Sequence, residues 1–175
     1  MSDLEQAAWP DAVFAVLQAA EIRQVGYVPD AGHARLIARA HADPAMRAVV
    51  LTTEEEGVAL AAGAWLGGER AVLLMQSSGV GNCINMLSLI ANCRMPFLTL
   101  ITMRGEWGEF NPWQVPMGLA TPTVLGAMGV HVLRAEQHAE AAETVRAAAA
   151  LAFDSSVPVA VLLSQRMIGA KEFRK

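Results

Sequence analysis

The sequence predicts a single three-layer α/β domain, with a six-stranded, mostly parallel sheet between two layers of helices. Three observations lead to this class. Short aliphatic runs alternate with longer segments of helical period along the chain, the pattern of repeated strand–helix units. The runs MRAVVL, AVLLM, FLTLIT and PVAVLL are apolar at nearly every position, as strands buried on both faces are. A chain of 175 residues, 54% hydrophobic and 17% charged, carries enough apolar surface to cover both faces of such a sheet.

Each element has its own signal. Residues 10–21 have helical periodicity, and Pro10 suits a first turn. Arg23 to Val28 reads as a strand that ends at Pro29, and Asp30 is placed to cap a helix over 31–43. Met46 to Leu51 reads as the second strand. Three glutamates follow it, Glu54, Glu55 and Glu56, and then a helix of small residues from Gly57. Gly67-Gly68 turns the chain into a strand over Ala71 to Met75. The segment QSSGVGN (76–82) reads as a loop before a helix that runs to Cys93. Residues 97–102 form the fourth strand, opened by Pro96, and 103–122 show neither helical nor strand period. A helix is expected from Thr121 to Met128, a strand over Val130 to Leu133, a helix over His138 to Phe153 and a last strand over Pro158 to Leu163. The charged tail MIGAKEFRK is expected to fray or to dock on a partner.

Composition narrows the function. A net charge of −4 without a basic cluster argues against nucleic acid as a partner. No apolar run reaches the ~18 residues of a transmembrane helix, and the acidic, polar start MSDLEQAAWPD is unlike a secretory signal. Cys83 and Cys93 fall on one predicted helix, separated by roughly 15 Å of rise, too far for a disulfide. Both are expected to be buried thiols in a reducing cytoplasm. The surplus apolar surface, and the scarcity of side-chain volume after Gly57, suggest a neighbouring chain or ligand packed close.

In a parallel sheet every strand-to-helix loop emerges at one edge, where ligands bind. Three such loops are expected there, at 27–30, 54–57 and 76–82, with 104–114 as a fourth wall. Gly79 and Gly81 either mark a tight turn of positive φ or let backbone N–H groups approach an anion. The spacing is not a dinucleotide fingerprint, because Ile84 stands where the third glycine belongs, and no lysine completes a Walker A loop. A serine hydrolase using Ser77 or Ser78 is an alternative, but neither serine has the glycine spacing of a nucleophile elbow. His33, His41, His131 and His138 lack metal-ligand spacing. The segment with Arg104, Glu106, Trp107, Glu109, Phe110, Trp113 and Gln114 is either a packed Ω-loop or a wall over an anionic substrate.

Five stretches in register, YVPD at 27–30, EEEG at 54–57, MQSSGVGN at 75–82, RGE at 104–106 and NPWQ at 111–114, resemble the pyrimidine-binding domain of thiamine diphosphate-dependent decarboxylases. The likeness runs from about residue 10 to 165 and is strongest to the α subunit of sulfopyruvate decarboxylase and the matching half of phosphonopyruvate decarboxylase. The resemblance implies a glutamate that hydrogen-bonds N1′ of the cofactor's aminopyrimidine. Aligning Trp65 with the family's aromatic residue selects Glu55, and anchoring on Ala61-Ala62-Gly63 selects Glu54; Glu55 is taken first. Such an acid is pulled two ways, since burial disfavours its charge while a helix N-terminus favours it, and burial is expected to prevail. Tyr27, Val28, Pro29, Ser78 and Gly79 are implied as further cofactor contacts. Asp30, Gln76, Ser77, Asn82, Arg104 and Gln114 are implied as substrate contacts, with Arg104 as the cation for a sulfonate or phosphonate. The diphosphate and its Mg2+ would be held by a β subunit bearing Gly-Asp-Gly, which this chain lacks. The implied protein is thus one chain of a cytoplasmic hetero-oligomer that decarboxylates a small 2-keto acid. A non-catalytic scaffold or regulatory subunit is the remaining alternative.

Overall fold

A computed structural model describes residues 3–169, with residues 3–8 described by backbone alone. Six strands, β1 (Ile22–Tyr27), β2 (Arg47–Val50), β3 (Arg70–Gln76), β4 (Phe97–Thr102), β5 (His131–Ala135) and β6 (Pro158–Leu163), form one sheet. Their order is β2-β1-β3-β4-β6-β5, and every pairing is parallel. The interior strands alternate their apolar side chains between two cores, as the two-residue period of a strand requires. Val72, Leu74, Leu98, Leu100 and Val161 face one core, and Leu73, Met75, Ile101 and Leu162 face the other. The first core is closed by helices α1 (Asp3–Ala19), α2 (Ala34–Ala42) and α7 (His138–Asp154). The second is closed by α3 (Glu54–Leu66), α4 (Ser77–Cys83), α5 (Leu87–Cys93) and α6 (Val115–Ala127). A short α8 (Gln165–Ile168) follows β6 at the carboxyl edge. No helix among the described residues is long and apolar enough to cross a membrane.

The strand order reverses at β1. The chain leaves it for β2 on one side and returns to β3 on the other. The loops that follow β1 and β3 therefore flank a topological switch point, the place where open α/β sheets hold ligands.

Four expectations change. The helix placed at 10–21 reaches back to Asp3 and carries Pro10 in its interior. Burial of Trp9, which stacks on His138 of α7 at 6.4 Å, holds the added turn. Segment 76–82 is not a loop, because α4 begins at Ser77 and neither Gly79 nor Gly81 has positive φ. The helix expected at Thr121 begins at Val115, with Pro116 in its first turn. Its sequence is apolar all round, so it has no amphipathic period to read, and close packing decides instead. A Cβ at Gly118 would run into the Arg104 carbonyl, which shows how near α6 lies to that loop. Finally, Cys83 and Cys93 lie on two helices; both are free, with Cys83 buried and Cys93 exposed. Burial beside the Glu54 and Glu55 charges pushes the Cys83 thiol up to about 12, so it is an inert core group. The end of the charged tail, residues 170–175, lies outside the described residues.

Candidate functional site at the carboxyl edge of the sheet

The three glutamates occupy the first turn of α3. Helical phase then separates them. Glu54 shares a stripe with Gly57, Val58, Ala61 and Ala62, all buried, whereas Glu55 shares one with exposed Ala59 and Gly63. Glu54 is 8% exposed and Glu55 lies open. The burial expected at Glu55 therefore belongs to Glu54. Asn82 of α4 donates to Glu54 Oε2 at 2.8 Å through Nδ2, and the carboxyl group lies against Gly79 of the same helix. A Cβ at Gly79 would collide with that carboxyl group, so the glycine is there to admit the acid. The small residues of α3 serve two purposes. Gly57 lets the helix approach Leu73 and Leu51 within this chain, while Gly63 meets nothing within 4 Å.

A second polar group crosses the switch point. Asp30 Oδ1 accepts from Gln76 Nε2 at 2.9 Å, and Oδ2 accepts from Thr102 Oγ1 at 2.6 Å and from Gly32 N at 3.1 Å. Ser78 donates to Gln76 Oε1 at 3.1 Å. Three strand ends are thus joined by one hydrogen-bonded chain, Ser78–Gln76–Asp30–Thr102. A concavity of about 160 Å³, lined by Asp30, Gly32, Thr102, Arg104 and Gly169, opens beside it. A larger concavity of about 590 Å³ lies between α1 and α7, but alanines line most of it and none of the motif residues is there. The convergent polar groups at the switch point make this edge, rather than the larger concavity, the candidate site.

Other expected residues have different uses. Tyr27 packs in the core beneath α2, with its hydroxyl 2.7 Å from His41 Nε2, so its side chain faces away from Glu54. Val28 is half-buried and Pro29 exposed. Ser77 is fully buried, and its hydroxyl accepts from the Arg104 amide at 3.0 Å. It ties two elements together, with no exposed surface in this chain. Gln114 precedes α6, with its Oε1 buried and unpartnered. Arg104 is not an unpaired cation. Its Nε and Nη2 bind Glu109 at 2.6 and 2.5 Å, and the two side chains are 7% and 3% exposed. The Arg104 hydrogen bonds outweigh burial and hold the Glu109 carboxyl down at about 2. Beneath this edge His33 is fully buried, with Nε2 3.1 Å from Leu100 O and Nδ1 unpartnered. Burial pushes its pKa down, opposed by the nearby Asp30 charge.

Two participants were not singled out beforehand, Thr102 and Gln165, and Glu109 was named only as one residue of the 104–114 segment. Thr102 ends a fully buried strand, where a hydroxyl needs a partner, and that is a readable signal. Gln165 lies 56 residues from Glu109 in sequence, and no local pattern links them.

No family model matches the chain. A 2-oxoglutarate:ferredoxin oxidoreductase from Magnetococcus marinus superposes with a TM-score of 0.75 and 19% identity, over 92% of this chain and 29% of that one, a likeness of fold alone. Fold and sequence likeness together place the chain in the pyrimidine-domain class of thiamine diphosphate-dependent enzymes. The sulfopyruvate decarboxylase α subunit of Methanothermobacter thermautotrophicus is 37% identical over 154 residues, 87% of this chain and 93% of that one. This chain belongs to the sulfopyruvate decarboxylase α-subunit family. The corresponding subunit of Methanocaldococcus jannaschii is 32% identical over 152 residues, and the phosphonopyruvate decarboxylase of Streptomyces viridochromogenes is 43% identical over 89 residues, 22% of its length.

Proposed function

We propose that the chain is the pyrimidine-binding α subunit of a two-subunit thiamine diphosphate-dependent decarboxylase. Its substrate is 3-sulfopyruvate, released as sulfoacetaldehyde and CO2, or 3-phosphonopyruvate, released as phosphonoacetaldehyde and CO2. One observation carries the reading: a buried carboxylate, Glu54, at the amino end of α3, admitted by a glycine and held by one neutral amide. Glu54, rather than Glu55, is the acid we assign to the aminopyrimidine nitrogen.

The residues fit the ring half of the cofactor. Glu54 is a buried carboxyl group set against Gly79, and the Gln114 Oε1 is a buried acceptor still without a donor. Among the described residues no three His, Cys, Asp or Glu side chains gather as a metal site. In this reading the diphosphate and its Mg2+ belong to the β subunit. When bound, thiamine diphosphate supplies the electron sink for loss of CO2. Glu54 holds or shares a proton at the ring nitrogen, and Asn82 fixes the orientation of its carboxyl group. The Ser78–Gln76–Asp30–Thr102 chain offers hydroxyl and amide groups to orient the keto acid. The segment from Arg104 onward walls the site from water.

The test mixes this chain with its β subunit and follows CO2 release from sulfopyruvate, phosphonopyruvate and pyruvate. Glu54→Gln is expected to lower turnover by about 10²- to 10⁴-fold, while Glu55→Gln stays within a few-fold of wild type. The reverse ranking would remove Glu54 from its role, and no CO2 release from any keto acid would leave a scaffold.

A further inference from the structure

One buried side chain at the edge is left unused by the reading above. Gln165, at the start of α8, is fully buried. Its Oε1 accepts from two successive backbone amides, Glu106 N at 3.0 Å and Trp107 N at 2.9 Å. Its Nε2 donates to Glu109 Oε2 at 2.8 Å, and its own amide donates to Glu106 Oε1 at 2.8 Å. A single amide side chain thus grips the 104–109 segment at both ends, using its acceptor and its donor in opposite senses. Glu109, the other half of the grip, accepts from five donors: Arg104 Nε and Nη2, the Gly105 and Asn111 amides, and Gln165. Gly105 stands at φ 79°, and a Cβ there would strike the Gln114 carbonyl, so the backbone also admits one path only.

We propose that Gln165, acting through Glu109, is a positioning residue that fixes the Arg104 segment as the substrate-facing wall of the carboxyl edge. This rests on the decarboxylase reading and deepens it. Arg104 lines the concavity beside Asp30 and Thr102, and Glu109 occupies its Nε and Nη2. The guanidinium can then offer a ligand only its Nη1 N–H groups and the outer N–H of Nη2, in one orientation. A free arginine would sample many rotamers and lose entropy on binding; this one has already lost it. Gln165 therefore governs the Michaelis constant of an anionic keto acid more than the rate of its chemistry.

Two variants test this in the full chain, alone and reconstituted with its β subunit. Gln165→Leu removes both hydrogen-bonding senses. Hydrogen exchange of the Glu106 and Trp107 amides is expected to accelerate about tenfold or more while β3 and β4 stay protected. The Michaelis constant should rise about tenfold with turnover within about twofold of wild type. Gln165→Glu keeps the acceptor but sets a carboxyl group against Glu109. Arg104, Glu106, Arg134, Glu136 and Arg166 also face this cluster from the neighbouring elements. The introduced acid can donate to Glu109 only when protonated, so the Michaelis constant of this variant should fall toward the wild-type value as pH is lowered from about 7.5 to 6. Accelerated exchange with an unchanged Michaelis constant in both variants would overturn the positioning role while the decarboxylase reading stands. Absence of CO2 release by the wild-type pair would overturn that reading and the role that rests on it; exchange would still report the anchoring.

Discussion

Two carboxylate side chains of low exposure, Glu54 and Glu109, lie at the same sheet edge and differ in what surrounds them. Glu109 is wrapped by five donors, a guanidinium among them. Glu54 receives one hydrogen bond among the described residues, from a neutral amide, and otherwise meets a glycine. A carboxylate with its acceptor sites filled and its charge neutralised is fixed in one protonation state and does structural work. A buried carboxylate left nearly bare keeps a lone pair and a proton site for something else, at the cost of an incompletely satisfied group in the lone chain. Burial alone, then, does not identify the functional acid; the inventory of its donors does.

Exchanging each acid for its amide should break the comparison most sharply. Glu54→Gln is expected to abolish most turnover while leaving urea-unfolding stability within about 1 kcal/mol, since Asn82 can still donate to the amide oxygen. Gly79→Ala should reproduce most of that loss of turnover without touching the acid, because the added methyl group displaces the Glu54 carboxyl. Wild-type turnover in Gly79→Ala would show that the buried position of Glu54 is not needed. The other carboxylate should behave oppositely. Arg104→Ala leaves Glu109 buried without its cation, and is expected to lower unfolding free energy by about 3 kcal/mol. A change below about 1 kcal/mol would mean that water replaces the guanidinium freely.

Acid titration separates Glu109 from the histidine beneath the site. Glu109 has its carboxyl pKa depressed from 4.5 to about 2. Its contribution is therefore complete above about pH 4.5 and is lost as pH falls toward 2. His33 is buried and held below its ordinary value of 6.5, so the unfolded chain takes up the proton first. Stability should therefore begin to fall as pH drops below about 6.5, before Glu109 contributes to the loss. Unfolding free energy measured against pH should show both limbs. Glu109→Gln should flatten the lower limb and His33→Asn the upper one; a single limb starting below pH 5 would remove the histidine from this account.

The sheet was legible because its central strands β3, β4 and β6 are largely aliphatic and buried, because Pro29, Gly67-Gly68 and Pro96 bound the elements, and because strands buried on both faces read as apolar runs. The candidate site was legible in outline for a related reason: β1 runs into Pro29-Asp30 and β3 into Gln76-Ser77-Ser78, polar residues where a buried strand would otherwise continue. What local pattern could not settle was phase and distance. Choosing Glu55 relied on Trp65, which is 38% exposed and so a poor marker of the buried stripe. The run Gly57, Val58, Ala61, Ala62 carries the phase and points to Glu54. Gly79 and Gly81 were placed in a loop, as a tight turn or as an approach for an anion. Glycine in a helix costs about 1 kcal/mol against alanine, and the reason to accept that cost at position 79 sits 25 residues earlier, at Glu54. The 104–114 segment was read as either a packed Ω-loop or a wall, with its arginine as the cation for an anionic substrate. The pairing with Glu109, only five residues on, was visible in the sequence, whereas its clamp by Gln165 was not.

The smallest expected effect comes from the second glycine of α4, and it sharpens the contrast with the first. Gly81 is exposed, and a Cβ there would lie 3.2 Å from Met117 Sδ, the far end of a flexible thioether rather than a buried carboxyl group. Met117 can turn aside at little cost, and alanine saves up to about 1 kcal/mol of backbone entropy in a helix. The two terms nearly cancel, so Gly81→Ala should change unfolding free energy by less than about 1 kcal/mol in either direction and leave turnover unaltered. If Gly81→Ala lowered turnover as far as Gly79→Ala, the helix as a whole would be the sensitive element, and the specific contact between Gly79 and Glu54 would no longer explain the site.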